Sequence, residues 1–212
     1  MNIAILGFGV VGGGTAEVLT KNKDIIKSKT GADINIAKIL DLREFPDSPF
    51  GSLVTHDFND ILNDPTIDTV VETMGGAHPA YDFSKAALES GKNVVTSNKL
   101  VVAEFGVELL ELAKKNGVRY LFEASVGGGI PIIKPLISDL AQNNIDRIAG
   151  ILNGTTNYIL DSMTRLGMDY ADALRQAQKL GYAEANPSTD VEGIDTWHKI
   201  ILSSNIAFGV SL

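Results

Sequence analysis

The chain has 212 residues, 44% hydrophobic and 21% charged, with a formal net charge of -8, three histidines and no cysteine. That length accommodates one large α/β domain or two small ones, and the acidic balance excludes a nucleic-acid partner, since no basic face is present to displace counterions from phosphates. Without cysteine there is no disulfide and no thiol nucleophile, which suits a cytoplasmic location, and His56, His78 and His198 lack the spacing of a zinc site.

No stretch approaches the ~18–20 apolar residues of a membrane span. The N-terminus also lacks the basic segment of a signal peptide, so no membrane partner is expected. Met1–Leu6 is a short apolar strand candidate, followed by Gly7-Phe8-Gly9-Val10-Val11-Gly12 and a helix to about Asn22. Strand, Gly-x-Gly-x-x-Gly and helix in that order are the context that a dinucleotide-binding loop requires. The first glycine permits the tight turn, the second lets backbone approach a pyrophosphate, and the third lets helix and strand pack closely. Free N–H groups and a partial positive charge at the helix start suit phosphates. Gly7, Phe8, Gly9, Val10, Val11 and Gly12 are therefore candidate cofactor-binding residues. Ile34–Leu40 is the next strand candidate and ends at Asp41. An acid at that place bonds the adenosine ribose hydroxyls and tips the reading towards NAD. Arg43, two residues on, suits the 2′-phosphate of NADP, so the two signals conflict.

Thr69–Glu72 is expected as a buried strand and Pro79–Ser90 as a helix closed by Gly91. Tyr81-x-x-x-Lys85 in that helix matches the Tyr/Lys pair of short-chain dehydrogenases. It comes too early in the chain, after a loop with the wrong glycine spacing, and is read as an ordinary i,i+4 pair. Asn93–Ser97 is a further strand, with Lys99 directly after it. Ligands of open α/β sheets bind beyond the carboxyl ends of strands, which points Lys99 into the cleft. Val102–Asn116 is expected as a helix closed by Gly117, and Tyr120–Ala124 as a strand. Strands alternating with helices predict an α/β, doubly wound Rossmann domain with a parallel sheet covered on both faces.

After Gly127-Gly128-Gly129 the rhythm changes. Pro131–Ala141 is expected as a helix with Pro131 in its first turn, and Ile145–Leu152 as a strand. Asn157–Leu166 and Asp169–Leu180 are expected as helices, the second ending at Gly181. Tyr182–Val191 is irregular, and Asp195–Ser204 returns to helix. A domain change near 127–131 divides the chain into residues 1–128 and 129–212. Asp195 and Lys199 lie four residues apart and share a helix face. Gly193, Ile194, Ile200, Ile201 and Leu202 around them predict a partly enclosed pair. A lysine there can serve as acid or base.

Five separated segments, in order along nearly the whole chain, resemble homoserine dehydrogenases. They are Val94-Val95-Thr96-Ser97-Asn98-Lys99, Glu123 to Pro131 (Glu-Ala-Ser-Val-Gly-Gly-Gly-Ile-Pro), Asn153 to Leu160, Leu180-Gly181-Tyr182-Ala183-Glu184, and Glu192 to Lys199. The chain departs from the family at Ala185, where proline is common, and at Trp197-His198, where Ala-Arg is common. The resemblance implies reversible reduction of L-aspartate 4-semialdehyde to L-homoserine with NAD(P)H. It implies Lys199 as proton donor, Lys99 as an aid near cofactor and substrate, Glu184 as the ligand of the substrate ammonium, and Asp195 as substrate ligand or orienter of Lys199. It also implies a monovalent cation, sodium or potassium, at Glu123 with carbonyls of Val126, Gly128 and Ile130. The family's second domain is an α+β substrate-binding and dimerisation domain that continues further, so residues 129–212 are expected to be part of one, cut at its C-terminal end, in a homodimer or higher homo-oligomer. Two other readings share the glycine loop: a Rossmann oxidoreductase of another small amino or keto acid, and a non-catalytic NAD(P)-binding regulator. Neither requires Glu184, Asp195 and Lys199 together.

Overall fold

The computed structural model of the chain describes residues 1–210, which divide into two compact units, Met1–Gly129 and Ile130–Leu212. In the first, six parallel strands form one sheet: β1 (Asn2–Leu6), β2 (Asn35–Leu40), β3 (Val54–Thr55), β4 (Thr69–Glu72), β5 (Asn93–Thr96) and β6 (Tyr120–Leu121). Their order is β3-β2-β1-β4-β5-β6. The expected doubly wound parallel sheet is therefore present, and its strand order reverses between β1 and β4. The crevice beyond that switch point is where such sheets bind ligands.

Helices α1 (Val10–Lys21), α2 (Lys23–Thr30), α3 (Asn59–Leu62), α4 (Ala80–Glu89), α5 (Lys99–Asn116) and α6 (Ala124–Gly127) connect and follow the strands. The central strands read as apolar runs because helices cover both faces. Ala4, Ile5, Leu6, Val70 and Val94 are fully buried, and each large aliphatic side chain among them contributes roughly 1.5–3 kcal/mol. Helix α5 starts at Lys99, earlier than expected, because the Asn98 side chain caps it by accepting from Val101 N. It ends where Gly117 adopts a left-handed φ of 67°. The last strand is shorter than expected, and the turn of α6 replaces its end.

The second unit contains α7 (Gly154–Leu166), α8 (Tyr170–Lys179), α9 (Ser188–Val191) and α10 (Ile194–Phe208). Ile159, Ala173, Ala177 and Ala183 form the core between α7 and α8. Two expectations are corrected here. The segment 131–141 does not form a regular α-helix. Pro135 has no N–H to give the ladder, and the chain widens into a π-type turn, Pro135–Asp139, in which Leu140 N bonds Pro135 O at 2.9 Å. The segment 145–152 is irregular rather than a strand. A strand persists only when its N–H and C=O groups find a ladder partner, and the second unit holds no strand among the described residues; Ile151 is 77% exposed. No helix among the described residues is long and apolar enough to cross a membrane.

Candidate functional site

The glycine loop lies at the switch point, between β1 and α1. Gly7 has a φ of +86°, a left-handed conformation open to glycine. A Cβ on Gly12 would stand 2.0 Å from Gly7 O, so only glycine lets α1 come this close to the end of β1. At Gly9 a Cβ would meet nothing within 4 Å. That glycine leaves room for a ligand rather than permitting internal packing. Gly9 also caps α1 without a side chain, and the first turn carries no acid. Its N–H groups are thus available to an anion. Val10 is 95% exposed and Val11 is exposed.

Phe8 has a different place from its neighbours. Its ring is buried, edge-on to Phe45 at 5.0 Å and to Phe50 at 5.9 Å. Its N–H donates to Asp41 Oδ2 at 2.7 Å, so Phe8 holds the loop to β2 instead of presenting a group to a ligand. Asp41 and Arg43 are joined. The Arg43 guanidinium donates to both Asp41 oxygens, at 2.9 and 3.0 Å, and the Arg43 N–H adds a third bond of 3.0 Å. The guanidinium beside Asp41 holds its carboxyl well below the usual carboxylate range, helped by the Phe8 N–H and opposed by burial. His56 lies against the same corner, with Nδ1 2.6 Å from Asp41 O and Nε2 2.6 Å from Glu44 Oε1. These two acceptors raise its pKa.

Gly7, Gly9, Asp41, Arg43, His56 and Thr73 line a cavity of about 520 Å³, within the range of small-molecule and cofactor pockets. Phe58 and Phe83, stacked at 4.3 Å, add an aromatic wall. Thr73 fastens the far side, its hydroxyl 2.8 Å from Gly7 O and 3.0 Å from Leu6 O. A dinucleotide fits this donor set: uncapped helix N–H groups for phosphates, an acid–arginine pair for the ribose edge, and an apolar wall for a base. His56, Thr73, Phe58 and Phe83 are absent from the sequence reading, because lone residues in loops carry no periodic signal. Lys99, the first residue of α5, is half-buried. Tyr81 and Lys85 cross-link α4 to α5, both reaching Glu108 Oε1, at 2.9 and 2.8 Å.

In the second unit, Lys199 Nζ donates to Asp195 Oδ2 and to Leu152 O, each at 2.8 Å. The Asp195 side chain is 2% exposed and that of Lys199 is 17% exposed, so the pair is enclosed with the ammonium reaching the surface. Of three N–H donors on the ammonium, two are used in this way. The third has no protein acceptor among the described residues. Asn153 organises the surroundings. Its Nδ2 donates to Asp190 Oδ1 and Asp195 Oδ2, both at 2.8 Å, while its Oδ1 accepts from Thr156 N at the start of α7. The Thr155 hydroxyl lies 3.0 Å from Asp190 Oδ2 and 2.6 Å from Tyr182 O. Asp190 is thus a site residue that sequence reasoning missed. Asn153 was legible as a cap, standing before Gly-Thr-Thr. Glu184 lies on the exposed turn after α8, its carbonyl accepting from Gln178 Nε2 at 3.0 Å. Among the described residues no contact joins Glu184 to Asp195 or Lys199. Glu123, Val126 and Gly128 surround the turn of α6 in the first unit, and Ile130 opens the second.

Comparison with known proteins gives a consistent picture. The model of the homoserine dehydrogenase NAD-binding domain matches residues 7–123, and that of homoserine dehydrogenase matches residues 131–212. A curated homoserine dehydrogenase of Pseudomonas aeruginosa is 44% identical over 213 residues, covering 100% of this chain and 49% of its own length. The crystal structure of a homoserine dehydrogenase from Thiobacillus denitrificans superposes with a TM-score of 0.92 at 44% identity, over 99% of this chain and 49% of that one. A hyperthermophilic archaeal homoserine dehydrogenase in complex with NADPH superposes with a TM-score of 0.86 at 30% identity, over 99% of this chain and 70% of that one. The chain spans about half the length of the curated relatives it matches.

Proposed function

The chain belongs to the homoserine dehydrogenase family, and from that premise we propose that the protein interconverts L-aspartate 4-semialdehyde and L-homoserine, with NAD(P)H held in the first unit and the acid–base lysine in the second. The enclosed Lys199–Asp195 pair carries this reading. When bound, the nicotinamide cofactor supplies the hydride that makes the aldehyde carbon an alcohol. The charge that develops on the aldehyde oxygen needs a cation and then a proton. Lys199 Nζ offers both, through the N–H that neither Asp195 nor Leu152 occupies. In the oxidation direction the same amine takes the hydroxyl proton. Asp195 keeps the ammonium in place, and Asn153 and Asp190 keep Asp195 in place. Glu184 receives the substrate ammonium, and Lys99 assists at the end of β5.

The test is reduction of NAD+ and NADP+ by the chain with L-homoserine against other small amino and hydroxy acids. Preference for homoserine supports the reading, and preference for another acid transfers the site to a different oxidoreductase. The bond pattern at Asp41 favours use of both cofactors. Asp41 can turn to a ribose diol, and Arg43 can turn to a 2′-phosphate. The NADPH bound to the archaeal relative supports the second. Arg43→Ala is accordingly expected to weaken NADP+ about tenfold, the loss of a charge-assisted contact in a solvated position, and to leave NAD+ unchanged or tighter. Separate titrations of the two cofactors check this.

A monovalent cation belongs to the same proposal. One carboxylate and backbone carbonyls are the donors that a hard cation takes, and Glu123, Val126, Gly128 and Ile130 would hold it. Among the described residues no group of three or more His, Cys, Asp or Glu offers an alternative metal site. Glu123→Gln is expected to remove activation by potassium, read as the ratio of rates with and without the ion. Residues 1–128 are the cofactor domain in this reading, and residues 129–212 are part of a substrate and dimerisation domain. Ile130, Ile151, Leu160, Leu166 and Trp197 expose apolar surface there, which supports a homodimer; sedimentation reads the assembly.

A further inference from the structure

Glu72 is the last residue of β4, beside Leu6 of β1 and Thr96 of β5, at the switch point of the sheet. Its residue exposure is 0%, and the proposed chemistry gives it no part. A buried carboxylate is costly, and an apolar residue would serve packing better. The other residues of the strand, Thr69, Val70 and Val71, follow that preference. A carboxylate differs from them in one respect: it only accepts hydrogen bonds, and can gather several donors.

The donors on Glu72 come from two loops. Met74 N donates to Oε1 at 2.7 Å, and the Thr96 hydroxyl donates to Oε2 at 2.5 Å. Thr96 Oγ1 in turn accepts from Asn98 N at 2.9 Å. Asn98 closes the circuit. Its Nδ2 donates to Gly76 O at 2.7 Å and reaches Met74 O at 3.4 Å, while its Oδ1 caps α5 at Val101 N. Burial pushes the Glu72 carboxyl up, and its bonds with Thr96, Met74 and Asn98 pull it back. Both ends of this circuit serve the site. The Thr73–Gly76 loop lines the cofactor cavity with Thr73, Met74 and Gly75, and the capped end of α5 begins with Lys99.

We propose that Glu72 is a positioning residue for the dinucleotide site, its buried carboxylate fixing the Thr73–Gly76 loop through Met74 and the start of α5 through Thr96 and Asn98. The inference rests on the first unit binding a nicotinamide dinucleotide. Its test measures binding alone, with NADPH and NADH as probes and no substrate, so it does not depend on the reaction assigned above.

Glu72→Gln keeps the shape and loses the acceptor at one oxygen. It is expected to weaken NADPH and NADH by about tenfold or more. A pair of substitutions at Thr96 separates positioning from packing and keeps the proposal testable if the Glu72 variant does not fold. Thr96→Ser keeps the hydroxyl and loses a methyl; Thr96→Val keeps the volume and loses the hydroxyl. Positioning through the hydrogen bond predicts that serine binds within about twofold of the wild-type chain and valine about tenfold more weakly. Packing alone predicts the reverse order. Equal cofactor affinity in Glu72→Gln and the wild-type chain, or valine better than serine at position 96, would overturn the proposal. A wild-type chain that binds neither dinucleotide would overturn the reading beneath it.

Discussion

Lys199→Ala is expected to lower homoserine-dependent reduction of NAD(P)+ by about 10²–10⁴-fold, the usual contribution of a positioned acid or base, while NADPH binds as it does to the wild-type chain. The substitution removes the only proton carrier that the Asp195 cluster contains. It also removes one of the two donors on Asp195 Oδ2, leaving Asn153 Nδ2. A buried carboxylate short of a donor costs about 1–3 kcal/mol, so a lower melting temperature will accompany the lost activity. Lys199→Arg separates the two effects. A guanidinium preserves the positive partner of Asp195 and so the stability, but it does not give up its proton near neutral pH. The arginine variant is therefore expected to melt close to the wild-type chain and to remain inactive. If the arginine variant turns over, Lys199 acts as a charge and not as an acid. If the alanine variant turns over, another group carries the proton.

The first unit was largely legible because its signals are local. An apolar strand, a glycine loop and a helix in sequence specify a turn geometry, and Gly7 and Gly12 occupy the positions that only glycine tolerates. Asp41 was found from its place at a strand end. That it holds Phe8 and Arg43 was not, because those bonds depend on where three separate segments converge. Helix α2 escaped notice for the opposite reason: none of its eight residues is buried, so no apolar stripe reports it. Strand β3 has two residues and pairs on one side with β2, too little for a period to show. In the second unit, Asp195 and Lys199 were visible as an i,i+4 pair. Their enclosure depends on Leu152 and Asn153, more than forty residues earlier. Asp190 lies in a stretch without periodicity, and only the packing of α9 shows what it holds. The misjudged strand at 145–152 shows the limit of apolar pattern. Such a run states what would pair, and whether a neighbour exists is settled elsewhere in the fold.

Gly12→Ala is expected to cost the fold about 1–3 kcal/mol or more, as overpacking does, and to abolish NADPH binding. The added Cβ would lie 2.0 Å from Gly7 O and 2.8 Å from Thr73 Oγ1. Neither neighbour can yield. Gly7 N is bonded to Leu40 O at 2.8 Å, and Gly7 O is held by the Thr73 hydroxyl at 2.8 Å, so α1 must withdraw from the sheet. Its uncapped N–H groups withdraw with it, and the phosphates lose their donors. At ~2–4 °C per kcal/mol for a chain of this size, the melting temperature falls by roughly 2–12 °C. Gly9→Ala is the matched comparison. Gly9 has a φ of -82°, which alanine adopts without strain, and a Cβ there meets nothing within 4 Å. Its stability is expected to stay within about 0.5 kcal/mol, while cofactor affinity drops because the methyl occupies the space left for the pyrophosphate. Two alanines three residues apart thus separate the two functions of the loop. If Gly12→Ala melts and binds normally, close helix–strand packing is not the reason for the third glycine. If Gly9→Ala binds normally, the pyrophosphate crosses elsewhere.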